Sequence, residues 1–173
     1  MSWKTIKSEK IIDEYHVKVL KNEVQLPDGA VIDDFYTVTI PDAAMICALT
    51  TDGNIILKSE YRYAIETDVI ECPAGMFEKN EIDALVVAKR ELLEETGYES
   101  ESWTYFGPTL ESTSKLTNRM HLFLARDCIK TSTQHLDINE HVEIITVPFQ
   151  TAVDMVMDGK INAIVNDINK FTL

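Results

Sequence analysis

The stretch ALVVAKRELLEET, residues 84 to 96, sets the hardest condition on how this chain folds. A helix advances about 100° per residue, so Glu91, Glu94 and Glu95 share roughly one third of its circumference. Like charges four residues apart repel by a few tenths of a kcal/mol, about 0.2–0.5 per pair. These carboxylates also crowd the end where the helix dipole is negative and favours Lys or Arg. Gly97 reads as the position just past the end, where glycine takes the left-handed conformation most cheaply. Leu85 lies above Leu92, and Val86 lies above Leu93 on another side. The spacing therefore predicts a helix packed on more than one face, with its glutamates on what remains. Two readings follow. The strip is a solvated acidic face with Arg90 paired to Glu94, or it holds a hard divalent cation, which prefers oxygen ligands.

Composition removes several function classes. The chain has 173 residues and is 45% hydrophobic, which suits one domain with a sizeable core. Its net charge of −13 argues against a nucleic-acid binder, and an anionic substrate would need a metal or a local arginine to be held. Cys47, Cys72 and Cys128 form no CxxC pair, and reduced thiols in a cytoplasmic protein are the expectation. MSWKTIKSEK has no apolar core of a signal peptide, and the longest apolar run, AAMICAL, is too short to cross a bilayer. His16, His121, His135 and His141 make no HExxH or zinc-finger spacing. No G-x-S-x-G elbow, Walker loop or G-x-G-x-x-G fingerprint is present.

Strand signals dominate the first half. EYHVKVLKNEVQL and VIDDFYTVTI alternate polar and apolar residues around Asp28-Gly29. AAMICALT and NIILKSEY flank Asp52-Gly53. DVIECPAG reads as a short strand ending in a turn before the helix. WTYFGPTLE, MHLFLARD and HVEIITVPF follow as strand-like segments, and TAVDMVMDG and INAIVNDINKF read as two closing helices. Strands with segregated helices indicate an α+β or layered α/β/α domain.

Gly75 to Tyr98 resembles the Nudix box, G-x5-E-x7-R-E-U-x-E-E-x-G-U, where U is apolar. Gly75, five residues and Glu81 match its first half, and Arg90 to Tyr98 match its second half at every position. Eight residues rather than seven separate Glu81 from Arg90. Either the loop is one residue longer or the first half has slipped in register. The resemblance extends to the ADP-ribose pyrophosphatase-like branch through EYR with Arg62, ECPAG with Glu71, HLFLA from His121, and LDINEHVEI with Glu140 and Glu143. STSKLTN stands where that branch often has a P-G-x-S loop, which bears on substrate identity.

The resemblance implies an α+β Nudix fold, an α/β/α sandwich with a mixed central sheet. It implies N-terminal antiparallel strands over residues 1–42 that build a homodimer, and a hydrolase domain over 43–173. It further implies a cytoplasmic enzyme that uses Mg²⁺, with Mn²⁺ as the alternative, to split ADP-ribose into AMP and ribose 5-phosphate. GDP-mannose or another nucleotide sugar is the alternative substrate; a nucleotide-binding sensor without turnover is the alternative of another class. No nucleic acid and no membrane partner is implied. Carried over residue by residue, Glu91 and Glu95 are the main metal ligands, Glu94 stands beside them, and the carbonyl of Ala74 or Gly75 completes a site. Arg90 orients the carboxylates. Glu140 matches the family's further glutamate, a base or extra ligand, with Glu143 as runner-up. Arg62 would clamp a phosphate, and Glu71 would bond a ribose hydroxyl or base amino group. Trp3, Phe35 and Tyr36 are the aromatics on which a purine would stack.

Overall fold

The fold is seen in a computed structural model that describes residues 2–138 and 141–161. The chain divides into two compact units, Met1–Asp42 with Thr109–Met120, and Ala43–Pro108 with His121–Leu173. The first thus takes in a segment that the sequence reading assigned to the second.

In the first unit, β1 (Lys4–Asp13), β2 (Lys18–Gln25) and β3 (Val31–Thr39) form an antiparallel sheet in the order β1-β2-β3. The β2–β3 turn is closed by Gly29 at φ 93° and by Asp28 Oδ1, which accepts from the Ala30 amide at 3.1 Å. Buried Asn22 ties the three strands together. Its Oδ1 accepts from Ser8 Oγ at 2.8 Å, and its Nδ2 donates to the Phe35 carbonyl at 3.2 Å and to Thr37 Oγ1 at 3.1 Å. Strand β1 is absent from the sequence-based expectation, for a physical reason. All ten of its residues are exposed, so no face imposes an alternation of apolar and polar residues.

The second unit holds β4 (Ala43–Thr50), β5 (Asn54–Arg62), β6 (Thr67–Glu71) and β7 (Ala74–Met76). Helix α1 (Ala84–Thr96) follows, then β8 (Tyr98–Glu99), β9 (Ser102–Leu110), β10 (Arg119–Lys130), β11 (Val142–Pro148) and α2 (Phe149–Met157). The sheet runs β11-β5-β4-β10-β8, with β6 paired to β5, β7 to β4 and β9 to β10. Both faces of β4 are buried from Ala43 to Ala48, which is why AAMICAL reads as a continuous apolar run. One face, Ala44, Ile46 and Ala48, joins Ile56, Phe123 and Ala125 against Val87, Ala88 and Leu92 of α1. The expected α+β class is found. The second expected closing helix, INAIVNDINKF, lies outside the described residues except for Ile161.

Helix α1 begins where Asp83 accepts from the Leu85 amide at 2.9 Å and ends at Gly97, whose φ is 75°. A Cβ on Gly97 would lie 2.3 Å from the Ser132 carbonyl oxygen, so space as well as backbone conformation selects glycine. One expectation is corrected. The Val86 side of the helix is not packed: Val86 is 54% exposed. The buried side instead joins Val87, Ala88, Leu92 and Thr96 with two glutamates, Glu91 and Glu95.

Candidate active site

The β7–α1 loop folds back on its helix through Arg90. The guanidinium grips Glu81 with two parallel bonds, Nε to Oε1 and Nη2 to Oε2, both 2.9 Å. Nη1 reaches Glu91 Oε1 at 2.7 Å and Glu94 Oε2 at 3.0 Å, and Nη2 donates to the Met76 carbonyl at 3.1 Å. Glu81 is also tied within its own turn, accepting from the Glu78 amide at 2.7 Å. The eight-residue spacing therefore leaves Glu81 within reach of Arg90; the loop carries the extra residue without losing the pair. The bond to Arg90 holds the Glu81 carboxyl below its usual range, and Glu81, with Glu91 and Glu94, holds the guanidinium charged.

Glycine at position 75 has a specific cause. A Cβ there would fall 2.0 Å from Glu91 Cδ and 2.1–2.3 Å from its two oxygens. The β7 backbone thus forms a cradle against which the Glu91 carboxylate rests.

A second charged cluster meets the first at Glu95. Lys58 on β5 is 1% exposed, and its ammonium bonds Glu95 Oε1. The same nitrogen lies 3.2 Å from Glu60 and 3.8 Å from Glu71. Arg62 bonds Glu71 and lies 3.2 Å from Glu60. The Ala74 amide donates to Glu95 Oε2 at 3.0 Å. Strand geometry explains the grouping. Lys58, Glu60 and Arg62 alternate on one face of β5, and the β5–β6 register sets Lys58 opposite Glu71. Burial opposes the charge on Lys58, but Glu95, Glu60 and Glu71 outweigh it and the ammonium stays protonated. Burial also pushes the Glu95 carboxyl up to about 7, against the pull of Lys58.

The structure thus brings together Glu91, Glu94, Glu95, Arg90 and Ala74, and places Arg62 and Glu71 in contact with each other. The amide of Ala74, rather than its carbonyl, is the atom seen bonded at this cluster. Glu143 is not brought in: it is exposed and sits opposite Ser59 on β11, on the face away from Lys58. Glu140 lies outside the described residues. In the first unit, Trp3 and Phe35 meet edge to face at 5.4 Å, and Lys115 Nζ stands 4.5 Å over the Phe35 ring. Tyr36 is 39% exposed. Sequence reasoning missed Lys58 and Glu60. The available signal was parity, since Ile56 faces α1 and residues 58, 60 and 62 continue its side of the strand.

Glu91, Glu94 and Glu95 offer only oxygens, two of the three are buried, and the Gly75 cradle leaves room for a carboxylate pressed to backbone. That chemistry fits a hard cation. Among the described residues, no three His, Cys, Asp or Glu side chains already stand in an arrangement that could hold an ion. The reason is visible: Arg90 engages Glu91 and Glu94, and Lys58 engages Glu95.

This loop–helix arrangement belongs to a known class, and residues 39–164 match the NUDIX domain family model. The chain is a member of the Nudix family and a Nudix hydrolase. It is 33% identical over 159 residues to the methanol dehydrogenase activator of Bacillus methanolicus, covering 91% of this chain and 85% of that one. It is 32% identical over 154 residues to the ADP-ribose pyrophosphatase of Bacillus subtilis, covering 88% and 82%. GDP-mannose pyrophosphatase of Klebsiella pneumoniae is 32% identical over 115 residues, covering 62% and 57%. A solved structure described as an ADP compounds hydrolase superposes with a TM-score of 0.82 at 20% identity, over 99% of this chain and 91% of that one. That last likeness bears on the fold. Nudix hydrolases generally use divalent metal ions.

Proposed function

We propose that this chain hydrolyses the diphosphate bond of a nucleoside diphosphate sugar, with ADP-ribose as the leading substrate and AMP and ribose 5-phosphate as products. The observation that carries the reading is the Arg90 clamp, which holds Glu81, Glu91 and Glu94 in one bonded set beside buried Glu95. The named activities of two relatives, on ADP-ribose and on GDP-mannose, support the substrate class.

Glu91 and Glu95, with Glu94 beside them, would hold Mg²⁺, or Mn²⁺ in its place. When bound, such an ion neutralises phosphate oxygens and makes water a stronger nucleophile at neutral pH. The protein's own groups do the rest. Arg90 fixes the carboxylates of α1 in orientation. Arg62, 40% exposed and held between Glu60 and Glu71, offers its accessible edge to a phosphate. Glu71 can accept from a ribose hydroxyl on the side not taken by Arg62. Glu140 would take a proton from the attacking water; Glu143, the alternative, would have to act from the face of β11 that points away from Lys58. Trp3, Phe35 and Tyr36 would contribute stacking surface for the base.

A panel of ADP-ribose, ADP-glucose, GDP-mannose, UDP-glucose, NADH and nucleoside triphosphates, with products separated by chromatography, tests the reading. AMP from ADP-ribose, lost on adding EDTA, is the expected result. Binding of nucleotide with no turnover of any member would favour a sensor domain instead. Comparing Glu140→Gln with Glu143→Gln separates the two bases: the variant that loses kcat and keeps KM identifies the residue.

A further inference from the structure

Lys58 is out of place for a strand residue packed beside a helix. Its side chain is 1% exposed; on its face Ile56 lies two residues earlier and Ile144 is directly opposite on β11, while Glu60 follows two residues later and Glu71 stands opposite on β6. A buried ammonium is costly unless well paired. An apolar residue would fill the volume but leave the buried Glu95 carboxylate without its cation. What the lysine adds is charge at one point. Its nitrogen lies within 4 Å of Glu95, Glu60 and Glu71, which belong to α1, β5 and β6. Three carboxylates therefore face two fixed cations, Lys58 and Arg62. Glu95 is gripped on both oxygens, Oε1 by Lys58 and Oε2 by the Ala74 amide, so its plane is set.

An ion that sits among three carboxylates from three elements is also what a divalent metal does. We propose that Lys58 is a positioning residue of the metal site. Its ammonium stands where a further divalent ion would otherwise sit among Glu95, Glu71 and Glu60, and so limits how many ions the site takes. The inference rests on the reading of the α1 carboxylates as metal ligands. It goes beyond that reading, because it concerns the number of ions and the residue that sets it.

The test is a Mn²⁺ titration of the native protein, Lys58→Met and Lys58→Arg, counting bound ions from the free-ion electron paramagnetic resonance signal, with thermal midpoints measured in parallel. Lys58→Met should bind at least one more Mn²⁺ per chain than the native protein, and its midpoint should rise more steeply with Mn²⁺. Folding of Lys58→Met only in the presence of Mn²⁺ would count as the same result. Lys58→Arg keeps the charge and should return the native stoichiometry. The proposal is overturned if Lys58→Met binds Mn²⁺ with native stoichiometry and affinity, binds fewer ions, or stays unfolded at millimolar Mn²⁺. Native protein that binds no Mn²⁺ would sink the metal reading of α1 itself. Native binding that Lys58→Met leaves unchanged would sink only the role of Lys58.

Discussion

Single residues in this chain are chosen by what they touch. Gly75 is the clearest case, because the obstacle to a side chain there is the carboxylate of Glu91. Gly75→Ala should therefore spare the fold, since the flexible Glu91 side chain can swing away. Turnover should fall by about 10–100-fold, the range for residues that orient a metal ligand; steady-state kinetics beside a melting curve would show it. A variant with native turnover would mean that the position of Glu91 is immaterial. Glu81 makes a second case, through pH. Arg90 holds its carboxyl below the ordinary value of 4.5, so the folded state binds a proton less readily than the unfolded chain. The stabilisation is complete above about 4.5 and is lost as pH falls through the lower folded value. Glu81→Gln should lower the thermal midpoint at pH 7 and narrow its difference from native as the solution is acidified. A difference that stays constant with pH would detach Glu81 from the Arg90 clamp.

At the scale of elements, α1 was legible in the sequence from end to end, because its signals are local. Gly97 marks its end, and the spacing of Glu91, Glu94 and Glu95 puts the carboxylates on one strip. Gly97→Ala should cost more than about 1 kcal/mol, because alanine meets a positive φ and the Ser132 carbonyl together; chemical denaturation measures it. Asp83→Ala should cost about 1 kcal/mol through the lost cap. A Gly97→Ala protein as stable as native would mean that the turn after α1 can rearrange freely. Non-local features were not legible. Lys58 reads as an ordinary polar position in NIILKSEY until β6 is aligned beside β5 and α1 is laid across that face. Strand β1 escaped because Ile6, Ile11 and Ile12 are all exposed, so no buried face writes a pattern into its sequence. Val86 misled for the converse reason: an apolar residue at helical spacing implied a packed side where the structure has solvent.

At the scale of the whole molecule, those exposed isoleucines gain meaning. An edge strand with Ile6, Ile11 and Ile12 at the surface invites pairing with a second copy. We expect a homodimer in solution, and Ile6→Lys with Ile12→Lys should shift it to monomer in sedimentation velocity; a native monomer at micromolar concentration would refute the expectation. Buried Cys47, Cys72 and Cys128 are free, and burial raises all three thiols, with Cys47 pushed up to about 12 and Cys128 to about 11. None offers a thiolate at neutral pH. The most direct measurement is ADP-ribose turnover across a Mg²⁺ titration, for native protein and Glu91→Gln, with both melting curves recorded. The account predicts AMP and ribose 5-phosphate release that saturates with Mg²⁺, stops with EDTA, and drops by at least about 100-fold in a variant that melts like native. Release that ignores EDTA, or a folded Glu91→Gln protein that turns over at the native rate, would contradict it.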